Sequence, residues 1–103
     1  MPAPVERVSA KALRARFNNG RYYERLQEGE FHLGEIVDVG PGPVRFPAGT
    51  RSQMVTYLDE QDLTVVIAHQ YGRQDGTPAL GTKPDPKFMF EGGVRYKFSP
   101  YVR

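Results

Sequence analysis

Ser52-Gln53-Met54-Val55-Thr56-Tyr57-Leu58-Asp59-Glu60-Gln61-Asp62-Leu63-Thr64-Val65-Val66-Ile67-Ala68-His69-Gln70-Tyr71 is the stretch that decides the fold. Two runs rich in β-branched and aromatic residues flank four consecutive polar residues. That pattern reads as a β-hairpin, with strands over 52–58 and 63–71 and a turn at Asp59–Asp62. The second run has a period of two, so Leu63, Val65, Ile67, His69 and Tyr71 share one face.

Further strands extend from this hairpin. Upstream, Phe31, Leu33, Val37 and Val39 point one way, and His32, Gly34, Ile36 and Asp38 the other. Gly40-Pro41-Gly42-Pro43 breaks that strand, since proline lacks the ladder donor. Val44, Arg45 and Phe46 suit a short edge segment. Downstream, Asp75-Gly76 supplies the positive φ of a turn. Residues 78–87 read as a loop. Pro84-Asp85-Pro86 resembles a helix start, with Asp85 as cap and a single turn over Lys87 to Phe90. Val94, Tyr96 and Phe98 then alternate with Arg95, Lys97 and Ser99 as a last strand.

The N-terminal part is helical. Ser9 is placed to cap a helix, with Val8 and Leu13 as its hydrophobic staple. Asn18-Asn19-Gly20 ends that helix with residues that tolerate the left-handed conformation. A second short helix follows over Arg21 to Gln27, stopped by Gly29. Helices first and strands after argue for an α+β domain. A helical segment would pack on a mostly antiparallel sheet of about four strands. The 103 residues suit a single domain, 1–103.

Composition excludes several chemistries. The chain has no cysteine, so zinc fingers, disulfides and thiol catalysis are out. That absence fits a reducing cytoplasm. The longest apolar run, Val65-Val66-Ile67-Ala68, is too short to span a bilayer, and no signal-peptide pattern opens the chain. No metal-ligand spacing and no cofactor motif is present, so the expectation is no metal and no cofactor.

Charge is uneven. Residues 1–25 carry six basic against two acidic side chains, a net +4, while the rest carries eight against ten, a net −2. Arg7, Lys11 and Arg14 are spaced to line one helical face, and Arg21 and Arg25 line another beside Tyr22 and Tyr23. Such a surface binds phosphates and stacks bases if the rings are exposed. It is equally a solvated outer face with its tyrosines turned to the core. A second group is His69, Tyr71 and Arg73 at one strand end, with Lys87 and Arg95 as possible complements. Histidine suits proton transfer near neutrality, and arginine steadies a developing oxyanion. The alternative is a half-buried histidine hydrogen-bonded within the sheet.

Thr50-Arg51-Ser52-Gln53-Met54-Val55, His69-Gln70-Tyr71, Asp75-Gly76-Thr77, Pro84-Asp85-Pro86-Lys87 and Gly93-Val94 together resemble segments of small uncharacterised proteins of actinobacteria and their phages. The resemblance leaves residues 1–30 uncovered and implies no activity. It implies a bacterial or phage cytoplasmic accessory protein. With catalytic motifs missing, the leading expectation is a non-catalytic interaction protein, held to a protein partner or to a second copy through a sheet edge. One alternative is a compact ribonuclease resembling toxins of the RelE type, using His69, Tyr71, Arg73, Lys87 and Arg95. The other is nucleic-acid binding through the basic N-terminal helices.

Overall fold

Ser9 caps the first helix as its sequence context requires, its hydroxyl accepting from the Ala12 N–H at 3.1 Å. The computed structural model describes residues 2–79 and 82–103. In chain order these form β1 (Val5–Val8), α1 (Ala10–Asn19), α2 (Tyr22–Gln27), β2 (His32–Pro41), β3 (Arg51–Leu58), β4 (Thr64–Gly72), β5 (Asp85–Glu91) and β6 (Val94–Phe98). The fold is α+β, with one sheet of six strands rather than about four, ordered β1-β6-β5-β4-β3-β2. Strands β2 to β6 form an antiparallel meander, and β1 returns to the far edge to lie parallel to β6. Positions 80 and 81 of the loop expected over 78–87 lie outside the described residues.

The hairpin stands where its pattern places it. The Asp59 carboxylate accepts from the Gln61 and Leu63 amides at 2.9 and 3.0 Å, and Asp62 takes φ 61° to turn the chain. Leu63 falls outside the strand.

Five local expectations are corrected. Val5–Val8 is a strand, because β6 supplies the hydrogen-bonding edge that residues 1–9 cannot supply themselves. Asp85–Glu91 is also a strand and not a capped turn, since β4 and β6 flank it on both sides. In β2 a bulge between Leu33 and Ile36 shifts the alternation. Leu33 and Ile36 thus both pack against the core, while Val37 and Val39 are exposed. Val44–Phe46 is a turn closed by the Phe46 amide on the Pro43 carbonyl, not an edge strand. At the end of α1 the left-handed residue is Arg21, at φ 55°, while Gly20 stays right-handed at φ −82°. Gly20 is needed for space instead, because a Cβ there would run into the Tyr22 ring.

The core lies between the helices and one face of the sheet. Leu13 and Phe17 of α1 and Tyr22 of α2 meet Val55 and Tyr57 of β3, Val66 and Ala68 of β4, Met89 of β5 and Tyr96 of β6. Tyr57 is fully buried, and among the described residues its hydroxyl has no hydrogen-bond partner. That burial pushes its pKa up. Beyond the helices the same sheet face is closed by a loop. Gln70 Nε2 donates to the Gly76 carbonyl at 2.6 Å and to Gln53 Oε1 at 3.2 Å. Gln53 Nε2 donates to the Arg73 carbonyl at 2.6 Å. Gly76, at φ 86°, lies so close to Leu33 and Ile36 that a Cβ would sit 2.6 Å from Ile36 Cδ1.

Candidate binding face

Period-two alternation gives every strand two faces, and the helices cover only one. On β4 the buried side is Val66, Ala68, Gln70 and Gly72, so Ile67, His69 and Tyr71 stand on the other. Register extends that side across the sheet. It takes in Ser52, Met54 and Thr56 on β3, Phe88 and Phe90 on β5, and Arg95 and Lys97 on β6. None of Met54, Ile67, Phe88 and Phe90 joins the core cluster. Phe90 is 39% exposed and Val37, on β2, 41%. No helix among the described residues covers this face. Phe46, from the 42–50 loop, packs on Tyr71 at 5.2 Å and borders one end.

The structure separates the five residues expected to act together. His69 and Tyr71 do share the open face, their rings edge to face at 5.0 Å. Arg73 lies past the end of β4 in the loop over the helix side. There it lines a cavity of about 260 Å³ with Pro47, Thr50 and Ala79. The Arg95 guanidinium donates to the Ala3 carbonyl at 2.8 and 3.2 Å, tying down the chain before β1. Lys87 Nζ donates to Asp85 at 3.0 Å and sits 4.8 Å from the centre of the Phe98 ring.

The partner that residue patterns alone missed is Ser52. Its hydroxyl lies 2.6 Å from His69 Nε2, and Asp85 faces His69 across the β4–β5 register. Counting back from the Asp59–Asp62 turn sets Ser52 opposite His69. The extra loop residue Leu63 and the bulge at Tyr57/Leu58 move it opposite Tyr71, still one diagonal step from His69, so the hairpin held this signal. Burial holds the His69 pKa below its ordinary 6.5; the Lys87 cation lowers it further and Asp85 opposes. The ring is therefore neutral at pH 7 and can accept the Ser52 proton.

That depression has a stability consequence of fixed sign. Above pH 6.5 His69 is neutral in both folded and unfolded chains and contributes nothing. As pH falls through 6.5 the unfolded chain takes up the proton first, so stability drops. Tm is expected to fall between about pH 7.5 and about pH 5.5, and His69→Gln to lack the share due to this ring. A variant with the same slope as wild type would show that His69 is not the group responsible.

The basic N-terminal residues are largely engaged within the domain. Arg7 belongs to β1, so it does not line a helix face with Lys11 and Arg14. Lys11 is exposed on α1. Arg14 pairs with Asp85 at 3.5 Å and Arg16 with Glu91 at 3.1 Å, its guanidinium 3.9 Å over the Tyr96 ring. Arg21 pairs with Glu28 at 3.0 Å. Arg25 Nε donates to Glu30 at 2.8 Å, and its guanidinium lies over Tyr22 and Phe31. Tyr22 is buried, its hydroxyl donating to Glu91 at 2.7 Å. Burial, then the Glu91 hydrogen bond and charge, push its pKa up to about 12. A ring so placed has no free face for a nucleobase.

No helix among the described residues is long and apolar enough to cross a membrane. No family model matches the chain, and no curated protein or solved structure matches it either.

Proposed function

We propose that this chain is a small non-catalytic binding module whose contact surface is the helix-free face of the sheet. The observation that carries this reading is that face itself. A six-stranded sheet has helices on one side, while Val37, Met54, Ile67, Phe88 and Phe90 stand outside the core on the other. Contiguous apolar surface of this kind marks interaction sites. The sheet edges are poorer candidates for pairing with a second copy. The edge strand β2 is interrupted by two register shifts and ends in Gly40-Pro41, and β1 has only four residues. Immobilised wild-type protein is expected to retain a specific macromolecule from bacterial extract. Val37→Asp and Phe90→Asp, both at exposed positions, are expected to lose it, and Arg21→Gln to keep it. Retention that ignores the two open-face substitutions would refute the reading.

A compact ribonuclease is the second reading, favoured by the 2.6 Å contact of Ser52 with a neutral His69. It requires RNA cleavage that His69→Gln abolishes.

A further inference from the structure

The open face is apolar at its centre and basic along one border. Register sets Arg7 opposite Lys97, Lys97 opposite Phe88, Phe88 opposite Ile67 and Ile67 opposite Thr56. At about 4.8 Å per strand this straight row spans roughly 19 Å. A parallel row places Val5, Arg95 and Phe90 side by side.

Arg7 and Lys97 differ from the helical arginines. Both are exposed, and among the described residues neither has a carboxylate within ion-pair distance. The carboxylates of the neighbouring strand are already engaged. Glu91 holds Arg16 and the Tyr22 hydroxyl, and Asp85 holds Arg14 and Lys87. Two like charges directly opposite each other destabilise a strand pair. This pair stands on the outermost two strands, and alternation turns the adjacent Glu6 to the other side of the sheet with Tyr96. No described carboxylate is within ion-pair distance of either cation, so an external anion would relieve the pair.

The rings beside the cations narrow the chemistry of that anion. Phe88 and Phe90 lie one strand further in, with Tyr71 and His69 beyond them on β4. Cations at an edge next to aromatic rings on a sheet face suit phosphates followed by unpaired bases. In a single strand every phosphate is followed by a flat unpaired base, so cations and rings one strand apart are answered by the repeating unit itself, whereas an acidic protein would have to supply both by its particular sequence. A duplex would present phosphates while keeping its bases stacked inside.

We propose that the β1–β6–β5 part of the open face binds single-stranded nucleic acid, with phosphates on Arg7 and Lys97 and bases on Phe88 and Phe90. This rests on the open-face reading above and moves the nucleic-acid contact from the N-terminal helices to the sheet. The test is fluorescence anisotropy with labelled mixed-sequence oligoribonucleotide and oligodeoxyribonucleotide of about twelve nucleotides, and with the corresponding DNA duplex. Single strands are expected to bind, and the duplex at least about tenfold more weakly. Which single strand binds better identifies RNA or DNA as the source. With two phosphate contacts, log K should fall against log salt with a slope of about −1.4, and Arg7→Gln with Lys97→Gln should remove most of that slope. Phe90→Ser is expected to weaken binding roughly tenfold, Phe90→Tyr to retain it, and Lys11→Gln to leave it unchanged. Circular dichroism on each variant separates lost binding from lost fold.

Equal binding of duplex and single strands, with no effect of Phe90→Ser, would overturn the proposal in favour of diffuse surface charge. So would an absence of oligonucleotide binding. If a nuclease-resistant partner is then still retained through Val37 and Phe90, the occupant is a protein and the open-face reading stands. If nothing is retained, both readings fall.

Discussion

Replacing Phe17 with alanine is expected to lower the unfolding free energy by about 4 kcal/mol. The side chain is 1% exposed and sits where α1, α2 and β3 meet, its ring 6.1 Å from those of both Tyr22 and Tyr57. Removing it forfeits the transfer free energy of the ring and leaves a cavity. Gly20 holds the α1–α2 joint close against Tyr22, which limits how far the helices can collapse into that space. A domain of this size has a total stability of only about 5–15 kcal/mol, so Tm should fall by about 20 °C. Phe17→Leu keeps most of the volume and should cost about 1 kcal/mol. Urea unfolding of the three proteins decides the matter. An alanine variant within about 1 kcal/mol of wild type would mean that the helices do not rest on this ring as described.

The second large effect is expected at the glutamine pair under the 73–77 loop. Gln70→Leu removes the donor to both the Gly76 carbonyl and Gln53 Oε1, groups that close packing keeps from water. Stranding them should cost about 3 kcal/mol. Gln53→Leu removes one of two donors to the Arg73 carbonyl, which keeps the Gly76 amide, and should cost about 1 kcal/mol. The double variant should cost less than the two combined, by about 1 kcal/mol, because neither amide is left behind to lack its partner. A double-mutant cycle by urea denaturation measures that coupling, and strict additivity would mean that the two side chains act separately. Faster amide exchange at Gly76 and Thr77 should accompany each single loss, since the loop is held to the sheet by these bonds.

Much of this architecture was legible in local chemistry. The Ser9 cap, the polar hairpin turn at Asp59–Asp62, the Asp75-Gly76 turn and the alternation of Val94, Tyr96 and Phe98 are each set by neighbours in sequence. What neighbours in sequence do not set depends on distant partners. Val5–Val8 is too short to declare itself without β6, and Asp85-Pro86 carries a helix-start signal that pairing with β4 overrides. On β4 both faces hold apolar residues, so a period of two identified the strand without telling which side the helices would cover. The helices chose Val66 and Ala68, leaving the larger Ile67 and Tyr71 on the open side. The candidate surface was legible in the same measure. Alternation alone sets His69 and Tyr71 on one face of β4, but the positions of Arg73 and Arg95 depend on loop and edge geometry that no spacing encodes.

The parallel pairing of β1 with β6 also carries a kinetic meaning. It joins segments about ninety residues apart in the chain, whereas β2 to β6 form by successive antiparallel connections. Contacts of such long range carry the largest loop-closure entropy and are made late. The meander is therefore expected to assemble first and to receive β1 last, by way of the Val8 carbonyl and the Arg95 clamp on Ala3. A strand that docks last is also the one that most readily comes away. Because Arg7 rides on that strand, the basic border has a lifetime of its own, set by how often the edge of the sheet opens.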